Sequence, residues 1–250
     1  MNQLAAFGRF EVGRLVRSWK FLVITVGFPI TFYMLFLGDR TAGGVIYGTV
    51  PWRAYLMVSM GSFGSLVAAL TAGGARLSTE RSSGWARQLR VTPLPAWSYV
   101  TTKVASSMLV ILPVLALVDV VGAAFGGVDL GLGTWSELTL LLWVTALPFA
   151  VLGVFIGFVA NAETAFPIVT ALMFVLGYFG GLFNPVGSMP HALQVAARVL
   201  PSFHDSALGL GVLDGHGLHL GHWLVLAGWT AVLAGAVFWK HRVEELRGLA

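Results

Sequence analysis

The stretch Glu80-Arg81-Ser82-Ser83-Gly84-Trp85-Ala86-Arg87-Gln88-Leu89-Arg90-Val91-Thr92-Pro93-Leu94-Pro95 decides how this chain is read. Long apolar runs flank it on both sides. Between Arg76 and Pro95, charge and small polar groups return. A short helix is predicted from Glu80 to Arg90, because Ser78 or Thr79 can cap its start while Pro93 and Pro95 bar its continuation. On that helix Trp85 and Leu89 share one face, and Arg87 and Arg90 point elsewhere. Spacing alone suits two uses equally: a docking knob for a soluble partner, or a basic loop resting on lipid headgroups.

Composition explains the flanks. Of 250 residues, 57% are hydrophobic and 10% charged, and the mean hydropathy is +0.82. A soluble domain of this size carries about 25% charge. The composition is that of an integral membrane protein, read as one membrane domain over residues 1–250. No Gly-x-x-x-x-Gly-Lys-Ser/Thr phosphate loop occurs, so this chain is not expected to bind ATP in that manner. Cysteine is absent, which excludes disulfides, thiolate metal sites and cysteine nucleophiles. A pI near 9.8 would suit nucleic acid, but the basic residues sit at the ends of apolar runs, where topology places them. No nucleic-acid partner is expected. The N-terminus does not read as a cleavable signal, since its apolar run starts late and no small-residue cleavage site follows.

Residues 1–20 read as an amphipathic interfacial helix, with Leu4, Val12, Leu15 and Trp19 near one face and Arg9, Arg17 and Lys20 on another. It serves as a membrane-surface anchor or as a gate beside a soluble partner. Apolar spans follow at 21–38, 54–74, 97–125, 138–160, 164–183 and 222–239. Span 2 is rich in Ser, Gly and Ala, which predicts close helix packing. Span 3 is long, so its end bearing Lys103 is expected to protrude. Gly126 to Glu137 reads as a glycine-rich loop, and Pro148 falls in the middle of span 4. The stretch 184–221 reads as non-spanning, with a half-helix from His191 to Leu200. With the N-terminus taken as cytoplasmic, twelve of the fifteen Lys and Arg fall on the inside and three, Arg40, Arg53 and Arg198, on the outside. That bias predicts six spans with both termini cytoplasmic.

Glu-Arg-x-x-Gly at Glu80, Arg81 and Gly84, followed by Leu-x-Val-Thr-Pro-Leu from Leu89 to Leu94, resembles the first cytoplasmic loop of type-2 ATP-binding-cassette (ABC-2) exporter permeases. A second match lies at Asn184-Pro185, Met189-Pro190 and Leu200-Pro201 with His204 after it. It resembles the re-entrant region before the last span of that family. The two cover about sixty residues, and the six-span layout resembles the family over the rest. The chain departs from the pattern at Ala207-Leu208-Gly209-Leu210-Gly211, where the family often has an Arg.

The resemblance implies an all-α integral membrane protein. It would have six transmembrane helices, an N-terminal amphipathic helix, a cytoplasmic coupling helix at 80–92 and external re-entrant half-helices at 184–221. It implies contacts with an ATPase through Glu80, Arg81, Ser83, Gly84, Trp85, Leu89, Thr92 and Pro93, and through Glu163 in the tight turn between spans 4 and 5. Glu163 equally suits a favourable charge at a helix start. Pro185, Pro190, Pro201 and His204 would shape the re-entrant region. This chain would bind no cofactor. ATP and Mg would sit on a cytoplasmic ABC ATPase subunit present in two copies, beside a second permease, identical or related, in the lipid of a bacterial cell membrane.

Other residues carry chemistry of their own. Asp119 lies within span 3, where an ionisable group is costly and by default faces the bundle interior or water. It either helps receive a cationic substrate or a proton, or lies hydrated near the outer end. Phe28, Phe32, Tyr33, Phe63, Phe174, Tyr178 and Phe179 would suit a hydrophobic or amphiphilic cargo such as a drug, antibiotic or lipid, or would simply pack. Asp119, Phe63 and Phe179 are the pathway candidates. His204, Asp205, Asp214, His216, His219 and His222 read as a polar loop at the membrane surface, and no metal site is expected because glycines interrupt it. Catalytic residues cannot be placed in any common cluster, so no enzyme is expected. The expected function is the permease subunit of an ATP-driven exporter. The alternatives are a stand-alone secondary transporter and a non-transporting membrane scaffold.

Overall fold

The helix that starts at Trp52 does not stop at Gly74. It runs to Ser82 as one rod, and the other helices pack around it. The structure is a computed structural model describing residues 19–38, 45–47, 49–83, 96–215 and 219–248. Helix α1 is Trp19–Leu37. Strands β1 (Val45–Tyr47) and β2 (Val50–Pro51) pair antiparallel within what sequence alone shows as a polar loop. The rod is α2 (Trp52–Leu70), a π-helical turn (Thr71–Ala75) and α3 (Arg76–Ser82). Then come α4 (Ala96–Gly126), α5 (Leu132–Thr145), α6 (Leu147–Val159) and α7 (Ala162–Phe179). A 3₁₀ turn at Val186–Ser188 precedes α8 (His191–Ala197), α9 (Pro201–Asp214) and α10 (Leu220–Gly248).

Among the described residues, five helical stretches are long and apolar enough to cross a membrane: Trp52–Ser82, Tyr99–Gly126, Leu132–Val159, Ala162–Phe179 and Leu220–Lys240. Helix α1 adds a shorter apolar stretch, Thr25–Leu37. This is a multi-pass, all-α membrane architecture. In lipid, helices gain little from hiding apolar surface, so close packing holds them together.

The rod is built for such packing. Leu56, Met60, Phe63, Leu66 and Leu70 are wholly enclosed, as are Ser59, Ser62 and Ser65. A Cβ added at Gly64 would lie 2.8 Å from Val114 of α4 and 3.2 Å from Pro29 of α1, so the missing side chain lets three helices converge. The π turn, Thr-Ala-Gly-Gly-Ala, meets α6 backbone to backbone. A Cβ on Gly153 would sit 2.5 Å from the Ala69 carbonyl, and one on Gly157 2.5 Å from the Gly73 carbonyl. The Gly153-x-x-x-Gly157 pattern, weak as a sequence signal, is thus a real crossing point.

Several expectations are corrected. Ser78 and Thr79 do not cap a new helix. Their hydroxyls donate to the Ala75 carbonyl within the rod, which simply continues through Glu80. The glycine-rich loop is shorter than expected, because α5 begins at Leu132 with Gly131 extended before it. Pro148 does not fall in the middle of one unbroken helix. The helix breaks at Ala146, and Pro148 sits in the first turn of α6, where its missing N–H costs nothing. The half-helix ends at Ala197 rather than Leu200. The Pro201–Gly211 stretch is a buried helix rather than part of a surface loop, with Pro201 in its first turn. The interfacial helix at 1–18 and the loop at 84–95 lie outside the described residues.

Candidate functional site

The end of the rod from which the 84–95 loop departs is held by charge. Lys103 of α4 donates from Nζ to Glu80 Oε2 at 2.6 Å, and Arg76 Nε lies 3.4 Å from Glu80 Oε1. Glu80 is 6% exposed and Lys103 3%. Lys103 therefore does not lie on a protruding helix end; it is enclosed against the rod. Arg81 donates to the Gly157 carbonyl at 3.0 Å and to the Phe158 carbonyl, and its guanidinium lies 5.0 Å from the centre of the Phe158 ring. These carbonyls belong to the last turn of α6, where a cation is favoured by the helix dipole. Ser83 Oγ donates to the Glu80 carbonyl. Glu80 and Arg81 thus tie three helices together at one end.

Asn161 and Glu163 follow α6 directly and lie at this same end. Asn161 caps α7, accepting from the Thr164 amide at 2.9 Å, and Glu163 is exposed in the first turn. Gly84, Trp85, Leu89, Thr92 and Pro93 lie outside the described residues.

The structure separates the pathway candidates. Phe63 is fully enclosed and packs on Phe28, Phe32 and Phe183 at centroid distances of 5.8, 6.3 and 4.8 Å. Phe179 stacks edge-on against Tyr178 at 5.5 Å. Phe28, Phe174 and Tyr178 are exposed on this side. Asp119 lies elsewhere, in a groove between α4 and α5 that neither Phe63 nor Phe179 lines.

Around α9 the structure assembles a polar network that the sequence reading places on a surface loop. Asp205 is 0% exposed, and its Oδ1 lies 2.5 Å from Thr145 Oγ1 of α5. Asp205 Oδ2, Ser59 Oγ and Ser62 Oγ are buried without a hydrogen-bond partner of ordinary geometry, although Ser62 lies close enough to influence the carboxyl. Ser202 Oγ donates to the Leu176 carbonyl at 2.7 Å. His204 is also buried. Its Nε2 faces the Arg198 carbonyl at 2.8 Å and its Nδ1 faces His222 Nδ1 at 2.6 Å. A carbonyl only accepts, so His204 carries its proton on Nε2, and His222 must donate from Nδ1. The usable signal for this helix was Pro201 followed by small residues at Ser202, Ser206, Gly209 and Gly211, the pattern of a helix packed by close approach. Pro185 and Pro190 precede the 3₁₀ turn and α8 as extended residues. Among the described residues, no three His, Cys, Asp or Glu side chains converge to hold a metal.

The model of the ABC-2 family transporter protein matches residues 39–239, most of the chain. This chain belongs to the ABC-2 transporter family. It is 30% identical over 208 residues to "Putative transport permease YvfS" of Bacillus subtilis (strain 168), covering 82% of each chain. The ABC-2 chain is accordingly a membrane component of a transporter. The match takes in both the Glu80–Lys103 end and α9, so the networks described here belong to the family domain itself.

Proposed function

We propose that this chain is the membrane-spanning permease subunit of an ATP-driven exporter that moves a hydrophobic or amphiphilic compound, such as a drug, antibiotic or lipid, out of the cytoplasm. ATP is hydrolysed on a separate ABC ATPase, an association that family membership implies. Two ATPase copies serve two permeases, the second identical or related. The chain spans a bacterial cell membrane six times, with α1 as the first span and both termini inside.

One observation carries this reading: the buried Glu80–Lys103 and Arg81–α6 contacts fix the end of the rod where the 84–95 loop leaves it. A push on that loop is therefore delivered to three helices at once. Glu80 and Arg81 act as the footing of the coupling loop, and Gly84 to Pro93, with exposed Glu163, form its contact surface. Coupling requires only that the transporter's two conformations differ in their contacts with the ATPase. Phe28, Phe174 and Tyr178 offer an aromatic face for the second permease and the cargo.

The test is a pull-down of the tagged chain from its native membrane in mild detergent. A stoichiometric soluble ATPase is expected, lost or uncoupled when Trp85 and Leu89 are replaced by Ala. A second reading, the stand-alone secondary transporter, is favoured by the enclosed Asp205 alone. Transport in liposomes by the isolated chain, driven by an ion gradient without ATP, would replace the exporter reading with it.

A further inference from the structure

Helices α4 and α5 leave between them an open groove of about 590 Å³. Its walls are apolar: Val120 and Ala123 on α4, Leu132, Trp135 and Leu140 on α5. One carboxyl, that of Asp119, opens into it. Thr139 Oγ1 of α5 lies 2.7 Å from Asp119 Oδ2 and 2.8 Å from the Trp135 carbonyl, so it holds the carboxyl in position while its one proton is shared between two acceptors. Among the described residues, no Lys or Arg forms an ion pair with it. Asp119 stands seven residues before the end of α4 at Gly126, and Thr139 seven residues after the start of α5 at Leu132. At the rise of an α-helix, both lie about 10 Å from the helix ends. With the helix ends at the membrane surface, that depth is the boundary between headgroups and acyl chains. An anion there is costly unless a cation or water meets it. Val120, Leu132 and Leu140 are more than half exposed, so the groove's sides are open to acyl chains.

We infer that this groove is a binding site for a cationic amphiphile, which places its ammonium group against Asp119 and lays its apolar chain along Val120, Leu132 and Leu140. The two halves of the ligand follow from the two halves of the groove. A neutral chain would leave the carboxyl unanswered, and an anionic head would be repelled by it. Trp135 adds an aromatic ring to the lining, which favours an ammonium over other cations. The ammonium can come from a membrane lipid with an amine head or from a free amphiphile. The site is separate from Phe63 and Phe179, neither of which lines it.

The experiment uses the full chain in nanodiscs of the uncharged, amine-free lipid digalactosyldiacylglycerol and radiolabelled dodecyltrimethylammonium, with dodecanol and dodecyl sulfate as neutral and anionic counterparts. Saturable binding of the ammonium above that of empty discs is expected. Asp119→Asn should weaken it roughly tenfold or more, since it removes the charge and keeps the shape, and should leave dodecanol unchanged. Ala123→Trp, which fills the groove and keeps the carboxyl, should abolish saturable binding. Should Asp119→Asn not fold, Ala123→Trp and the comparison of the three probes decide. Equal ammonium affinity in wild type and variants, or equal saturable binding of dodecyl sulfate, overturns the inference. Repeating the measurement in discs containing phosphatidylethanolamine distinguishes the sources. Competition by that lipid identifies a lipid amine as occupant, and undiminished probe binding identifies a free amphiphile; either upholds the site.

Discussion

Glu80 and Lys103 meet at 2.6 Å inside the protein, although a 23-residue separation and a whole loop lie between them in the chain. Each is nearly inaccessible. The pair closes the base of that loop, so its removal is felt by fold and function together. Glu80→Ala or Lys103→Ala should each destabilise the chain by about 1–3 kcal/mol, because an enclosed charge loses its shortest ion-pair contact. The double replacement Glu80→Met with Lys103→Met should recover most of that loss. Thermal melting of the purified chain in detergent checks both. Loss of ATPase coupling in the stable double variant would tie the ion pair to function as well as to folding.

Glycines at the crossing of the π turn and α6 should be intolerant, while those on α10 should not be. Gly153→Val forces a side chain toward the Ala69 carbonyl and should cost about 1–3 kcal/mol or more. Gly228 and Gly235 have nothing within 4 Å of an added Cβ, so Ala there should stabilise the helix by up to about 1 kcal/mol. Melting temperatures of the three variants separate a packing requirement from a general need for flexibility.

Thr145 has one hydroxyl proton and two acceptors in reach, the Leu141 carbonyl at 2.8 Å and Asp205 Oδ1 at 2.5 Å. Both contacts are satisfied when Asp205 brings a proton of its own. Asp205→Asn, which supplies an N–H in the same place, should therefore change stability little. Asp205→Ala should cost about 1–3 kcal/mol by removing the carboxyl's contact with Thr145, whose hydroxyl keeps only the Leu141 carbonyl. An infrared carbonyl band of a protonated carboxyl, present in wild type and absent in Asp205→Asn, is the direct check.

The His204–His222 contact should weaken in acid. Burial lowers the His204 imidazole below its ordinary value. The unfolded chain therefore takes up the proton first as pH falls through about 6.5. The contribution of His204 is present above that value and is lost as pH falls further, through the depressed value of the folded state. Melting curves from neutral to acid pH should show this loss, and His204→Gln should flatten that part of the curve.

How much of this could be read from the chain differs by element. The long apolar stretches were legible because hydropathy is a property of the segment itself. The break at Ala146 was not, since Pro148 suits a kinked helix and the first turn of a new one equally well. Helix α9 was hidden by its own packing: a helix held by Ser, Gly and Ala contacts has little apolar content and reads as loop. Glu80, Arg81 and Lys103 looked like solvated charge because each sits beside polar residues in sequence. Their burial exists only once α3, α4 and α6 are brought together. The Asp119 groove is likewise a property of two helices, although the cost of an intramembrane carboxyl marked the residue in advance.

The π turn at Thr71–Ala75 sets a rule about permitted lengths. A π turn takes one residue more than an α turn, so removing one residue within Thr71–Ala75 would restore an ordinary helix and leave Glu80 and Arg81 facing α4 and α6. The same deletion between Arg76 and Ser78 would turn everything beyond it about 100° around the axis, carrying Glu80 from Lys103 and Arg81 from the end of α6. Length is therefore forgiving at the π turn and in the loop beyond Ser83, and fixed between them.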